Sequence, residues 1–250
     1  MIYLDKGYIG YFEMSDKATG RKQLELYVSQ LKSAGHKRIV APIDGDTWHR
    51  YRLVSWSSDE PEFPLEPRNP LWYNEVFEEC GFMPLKKYSS YKFCVDDIKS
   101  LPDINSNVRL RSYHIGDIKT IYDVSSQGFD ENFLYDDITF EEFNKLYQPI
   151  LPVIDEELVI IAEVGNVPIG FLFSFPIGDK LILKTIAVIP RLRNCGIGAK
   201  MITHALLTGK RKRLKTAIAA LIADDNNSHR LISKYGGEKI REYTLYYLSM

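Results

Sequence analysis

The stretch with the clearest capacity for chemistry is Val-Ile-Pro-Arg-Leu-Arg-Asn-Cys-Gly-Ile-Gly, residues 188–198. It places Arg191, Arg193, Cys195, Gly196 and Gly198 between an apolar run and an amphipathic one. Pro190 has no N–H and ends strand pairing. Beyond Gly196 the apolar residues Ile197, Met201, Ile202, Ala205 and Leu206 recur on one side, as in a helix. The first N–H groups of a helix have no internal partner and lie at the positive end of its dipole. Glycines at 196 and 198 remove side chains that would hold a ligand off those donors. Such a turn suits a phosphate or pyrophosphate, with Arg191 and Arg193 adding charge. Other glycine loops are excluded. A dinucleotide fingerprint needs glycine where Met201 stands, and Gly198-Ala199-Lys200-Met201 lacks the Gly-Lys-Ser/Thr of a nucleoside triphosphate loop. Cys195 lies where a helix start favours a thiolate nucleophile, but the stronger reading is a small residue filling a turn.

The elements around this loop can be read in order. From residue 107, a strand (108–114) is followed by two helices with capping-type starts, then by Glu157–Val164 and Val167–Phe175 as strands around a Gly165-Asn166 turn. Lys180–Ile189 is near-continuously apolar, as a strand buried on both faces should be. The loop helix ends near Gly209, and a strand (215–223), a short helix closed by glycine and a last strand (242–248) follow. The order β-α-α-β-β-β-α-β-α-β predicts a mixed α/β (α+β) sheet with helices on both faces. The polar segment Val95–Asn107, with Pro102, reads as a linker. Before it, strand (8–14), helix (22–35), strand (36–44), helix (72–82) and strand (88–95) repeat the end of that order. Lys17, Gly20 and Lys22 stand in the frame of Arg193, Gly196 and Gly198. The chain is therefore read as residues 1–95, a linker 96–106 and residues 107–250, with the first segment a truncated copy of the last.

Composition narrows the class. The chain has 250 residues, 45% of them apolar, and a net charge of -1, so it has a core to bury and no basic footprint for nucleic acid. The longest apolar region is broken by Glu163, Gly165, Asn166 and Gly170, which excludes a membrane span there. Cys80, Cys94 and Cys195 lack metal spacing, as do the five histidines, so no metal site is expected. A Met-Ile-Tyr-Leu-Asp start without a basic apolar leader points to the cytoplasm. The basic run Gly209–Lys215 follows a helix end and reads as a solvated cluster, with a coenzyme phosphate or an RNA backbone as the alternative.

Val188, Pro190, Arg193, Gly196 and Gly198, after an apolar strand and before an amphipathic helix, resemble the coenzyme A loop of the GNAT acetyltransferases. The resemblance implies that fold for residues 107–250 and a degenerate GNAT-like lobe for residues 1–95. It implies acetyl-CoA as donor and an amine as acceptor, on a small molecule or a protein. Main-chain groups of Ile186, Ala187 and Val188 would pair with the pantetheine arm like an added strand. The amides of Asn194, Cys195, Gly196, Ile197, Gly198 and Ala199 would hold the pyrophosphate. The Val188 N–H, where the family's strand kinks from its neighbour, would face the developing negative oxygen. A second signature, Asn226, Ser228, Lys234 and Gly236, marks Asn226 and Ser228 as pantetheine contacts, with Asp225 as the alternative slot. The family's proton-donating tyrosine is replaced by Ile232. Tyr243 is put in its place, with Tyr246 and Tyr247 on the same strand as alternatives and Tyr235 on a different helix face, and Asp225 as the base ahead of Glu163 or a water. In the first lobe Lys22 replaces the second glycine and Asp16 puts negative charge where a phosphate would sit. A non-catalytic acyl-CoA-binding module and a tRNA-dependent aminoacyl transferase are the other readings, and a monomer or homodimer without nucleic acid or membrane partners is expected.

Overall fold

The computed structural model describes residues 1–96, 107–151, 154–225, 232 and 235–250. Two compact units are present. Unit 1 takes residues 1–90, 221–229 and 239–250, and unit 2 takes 91–220 and 230–238.

Unit 1 contains β1 (Ile2–Tyr3), β2 (Tyr8–Ile9), α1 (Lys17–Ser33), β3 (Arg38–Ala41), β4 (Leu53–Ser57), α2 (Trp72–Glu79), the start of β5 (Met83–Cys94) and most of the last strand, β11 (Glu238–Ser249). β11 runs antiparallel to β3, pairing Tyr246 with Ala41, and antiparallel to β4, pairing Thr244 with Leu53. The core lies where α1 and α2 meet these strands: Leu24, Leu31, Ile39, Val76, Phe77 and Tyr246 are all buried. Sealing a side chain the size of Phe77 stabilises by about 1.5–3 kcal/mol.

Three expectations for this unit are corrected. The strand predicted over residues 8–14 is only Tyr8–Ile9, and β1 and β4 carry no clear alternation and were not expected. Helix α1 begins at Lys17, before Gly20 rather than after it, because Asp16 is its N-cap: Asp16 Oδ1 accepts the Thr19 N–H at 2.8 Å. Gly20 therefore lies inside the helix. Its role is packing, since a Cβ there would come within 1.9 Å of Met14 Sδ. The frame shared with Gly196 is thus displaced by about one turn.

Unit 2 follows the predicted order as far as β10 (Thr216–Ala223); the glycine-closed helix expected next lies mostly outside the described residues, and the last expected strand falls largely in unit 1. β6 (Val108–Ser112), α3 (Ile118–Phe129), α4 (Phe140–Tyr147), β7 (Ile160–Val164), β8 (Val167–Ile177), β9 (Lys180–Val188), α5 (Ile197–Arg211) and the start of β10 succeed one another. β6 to β9 are an antiparallel meander, and β10 lies parallel to β9. The parallel step requires a crossover, which α5 supplies. Ile197, Met201, Ile202, Ala205 and Leu206 are the buried face of α5, as the spacing predicts. The linker expected at 96–106 lies, but for Asp96, outside the described residues.

Candidate functional site

β9 is paired on its two edges over different lengths. Against β8 the pairing continues to Val188, which faces Gly170. Against β10 it ends at Leu183, which faces Ala219. The change coincides with a bulge: Thr185 pairs with Phe173 and Leu183 with Ser174, so Lys184 is the extra residue. A bulge bends its strand and strengthens the local twist. Beyond it, Ile186, Ala187 and Val188 have no strand partner on the β10 edge among the described residues. This is the edge at which an extended ligand can add as a strand.

Close packing holds the β8–β9 segment in place. A Cβ on Gly170 would lie 2.9 Å from the Ala187 oxygen and 3.3 Å from Val188 Cγ2. A Cβ on Gly128, at the end of α3, would lie 3.0 Å from Ala187 Cβ. Neither glycine has a sequence signature, and both emerge only from the fold. Gly170→Ala must displace backbone, so it is expected to destabilise unit 2 by about 1–3 kcal/mol. A urea melt checks it, with Gly165→Ala, which has open space but a left-handed backbone, as the contrasting variant.

The loop from Pro190 to Gly196 runs directly from that edge into α5. Pro190–Leu192 form one 3-10 turn, and Asn194 and Gly196 take left-handed backbone angles of φ +64° and +78°. Gly196 is the N-cap of α5 and supplies no side-chain cap. Its oxygen accepts the Lys200 N–H at 3.0 Å, so the amides of Ile197, Gly198 and Ala199 precede the intrahelical ladder. Helix α1 offers the opposite case, because the Asp16 carboxylate already occupies its amino end. Arg193 is engaged away from the turn: Nη1 donates to Glu131 at 2.6 Å and Nη2 to the Gly128 oxygen at 2.8 Å. It therefore anchors the loop to the end of α3. Arg191, Asn194 and Cys195 are exposed. Cys195 Sγ lies 3.6 Å from the Arg193 oxygen. Lys200 donates to the Val108 oxygen at 2.8 Å and ties α5 to β6.

The candidates for proton transfer fall in other surroundings. Asp225 is exposed, belongs to unit 1 and pairs with Lys86 at 3.2 Å. Tyr243, also of unit 1, is 0% exposed. Its hydroxyl donates to Glu66 in a short contact, and Ser90 Oγ, 2.9 Å away, must therefore be the donor of their shared bond. Burial first, then the Glu66 charge, pushes the Tyr243 phenol well above its ordinary range. Ile232 is buried at 3%, and Tyr235 Oη meets Thr203 Oγ1 at 3.1 Å while its ring stacks on Phe93. Asn226 and Ser228 lie outside the described residues. Among the described residues no group of His, Cys, Asp or Glu could hold a metal, and no helix is long and apolar enough to cross a membrane.

Glu163 is held by two arginines, Arg109 at 2.7 Å and Arg111 at 2.7 Å, and Arg111 also grips Asp117 through both oxygens. Burial alone would raise both carboxyls, but the arginine hydrogen bonds outweigh it and hold Glu163 below 4.5 and Asp117 below 3.8. A base so depressed is a weak one. The linkage sign is fixed by the same shifts. Their stabilisation is complete above an unfolded value of about 4.5 and is lost as pH falls through the lowered folded values. Thermal melts are expected to fall steeply below about pH 4, and Glu163→Gln should flatten that acid limb.

Comparisons with known proteins agree with this geometry. Residues 122–236 match the model of the acetyltransferase (GNAT) family. No curated protein matches the chain. Among solved structures, a GCN5-related N-acetyltransferase from Sphaerobacter thermophilus superposes with a TM-score of 0.65 at 13% identity, covering 93% of this chain and 67% of that one. The glucosamine N-acetyltransferase region of a fungal multi-domain β-N-acetylglucosaminidase gives 0.60 at 14%, over 94% of this chain and 28% of that one. A tandem GNAT protein from the clavulanic acid biosynthesis pathway gives 0.55 at 10%, over 94% and 71%. At these identities the likeness is one of fold. The bulged strand β9, its open edge and the uncapped start of α5 all lie within residues 122–236, the stretch that matches the acetyltransferase (GNAT) family model.

Proposed function

We propose that the protein is an N-acetyltransferase that moves an acetyl group from acetyl-CoA to a primary amine. The observation that carries this reading is the unpaired edge of β9 leading without interruption into an uncapped helix start. The main-chain groups of Ile186, Ala187 and Val188 would hold an extended pantetheine arm, and the amides of Asn194 to Ala199 its pyrophosphate. Arg191 adds positive charge from the exposed side of the turn, while Arg193 positions the loop. Asn226 and Ser228 would complete the pantetheine contacts.

Bound there, acetyl-CoA supplies an activated thioester carbonyl. The Val188 N–H is the proposed donor to the oxygen that gains negative charge. Asp225, exposed at the end of β10, is the proposed acceptor of the amine proton. Tyr243 is retained only as the residue to be tested for proton donation, since its hydroxyl is sealed inside unit 1. Residues 1–95 are proposed as a lobe derived from the same fold that no longer takes coenzyme, because Asp16 fills its helix start.

Release of free thiol from acetyl-CoA across a panel of primary amines tests the reading. Turnover with any amine supports transfer. Coenzyme binding without turnover on the whole panel would leave a binding module, the reading favoured by the buried Ile232. Reaction with a protein amine would be seen as a mass increase on the acceptor.

A further inference from the structure

Unit 1 holds a guanidinium with two nitrogens for which the described residues supply no hydrogen-bond acceptor. Arg52 is 8% exposed, and its Nε and Nη1 atoms are buried with no hydrogen-bond partner among the described residues. The two carboxylates that line the adjoining pocket, Glu13 and Asp44, pair with Arg50 at 3.9 Å and 3.2 Å. Aromatic rings hold the group instead. Its Cζ lies 4.0 Å from the Tyr51 ring centre and 4.1 Å from that of Tyr88, two rings set at 81° to each other. Tyr243 lies farther off, at 6.0 Å.

A buried charge is costly unless it is paired and hydrogen-bonded, and ring faces give neither nitrogen an oxygen acceptor. The backbone is also constrained, with Arg52 at φ +71°, a left-handed angle that a long side chain rarely adopts. Its N–H donates to the Pro42 oxygen at 3.0 Å, which fixes where the side chain leaves the chain. A pocket of about 110 Å³ opens at the same stretch, lined by Arg50, Tyr51, Arg52, Pro42, Asn69 and Tyr73 among others. Tyr51 both lines the pocket and covers the guanidinium.

We infer that Arg52 anchors a binding site in unit 1 for a small monocarboxylate. Chemistry and size point to that class. The guanidinium has two edges that can take a planar acceptor in a bidentate manner, and each includes one of the two unpartnered nitrogens. Two rings set at 81° cover at most one face and one edge of a planar group, so the remaining edge is where an acceptor must dock. One unpaired positive charge matches one negative charge, and the pocket has room for a few carbons beyond the carboxylate. The site involves none of the residues proposed to hold coenzyme.

The test is a titration of wild-type protein, without coenzyme, followed in the Arg Nε–Hε region of 15N spectra. Acetate, propionate and inorganic phosphate are the probes, at constant ionic strength. The expected result is one Nε–Hε signal, missing in Arg52→Met, that shifts saturably with acetate and propionate. Arg52→Lys keeps the charge but loses the fork, and should weaken propionate binding at least about tenfold by a thermal-shift titration. Should Arg52→Met fail to fold, Arg52→Lys provides the assignment. No saturable shift of that signal would overturn the site, and tighter binding of phosphate than of either carboxylate would overturn its class.

Discussion

Gly198→Arg is expected to fold normally and to lose coenzyme A binding by a factor of at least about 100. Gly198 occupies the first turn of α5, and its φ is not in the left-handed region, unlike that of Gly196. Any side chain can adopt that backbone, and arginine is the better helix former by about 0.8 kcal/mol. The helix therefore tolerates the change. The ligand does not, because the new side chain rises among the amides of Ile197, Gly198 and Ala199. Losing two charge-assisted hydrogen bonds at about 1.5–3 kcal/mol each accounts for the factor. Gly196→Ala should behave in reverse, with a strained left-handed cap costing about 1 kcal/mol of stability. Calorimetric titration with coenzyme A and a thermal melt separate the two outcomes. Retained affinity in Gly198→Arg would remove the loop from the site.

The loop was legible because its information is local. A proline that stops a strand, glycines that open a helix start and an apolar spacing beyond them all lie within residues 188–206. The order of unit 2 was legible for the same reason, as each strand and helix carries its own period. What escaped is what depends on pairing across the sheet. The bulge at Lys184 has no residue signature, yet it ends the β9–β10 pairing at Leu183 and so creates the open edge. Arg193 reads as a phosphate ligand from its charge, and only the position of Gly128 and Glu131 shows it as a tether. In unit 1 the likeness of Gly20 to Gly196 misled, because Asp16 caps α1 a turn earlier than the shared frame implies. The place of Tyr243 on a strand gives its face, and a strand pattern does not give the neighbour on that face. That neighbour is Glu66, 177 residues away in sequence.

The Glu66 cluster sets the second large effect. Glu66 accepts from Arg241 Nη1 at 2.8 Å, from the Phe63 N–H at 3.2 Å and from Tyr243, and the ion pair is 3% and 0% exposed on its two sides. Burial already outweighs these bonds and raises the Glu66 carboxyl above its ordinary 4.5. Arg241→Met would leave that carboxylate without a counter-charge, at a cost of about 3–5 kcal/mol near neutral pH. The sign with pH is opposite to that of Glu163. A raised folded value means stability is complete below about 4.5 and is lost as pH rises through the folded value. The Arg241→Met deficit should therefore shrink on acidification, and Glu66→Gln in the same chain should recover part of it at pH 7. Tyr243→Phe removes one donor and should cost about 1–3 kcal/mol. Its thermal midpoint is expected to fall while thiol release per folded molecule persists. A Tyr243→Phe chain of wild-type stability with abolished turnover would reverse that assignment and return Tyr243 to the chemistry.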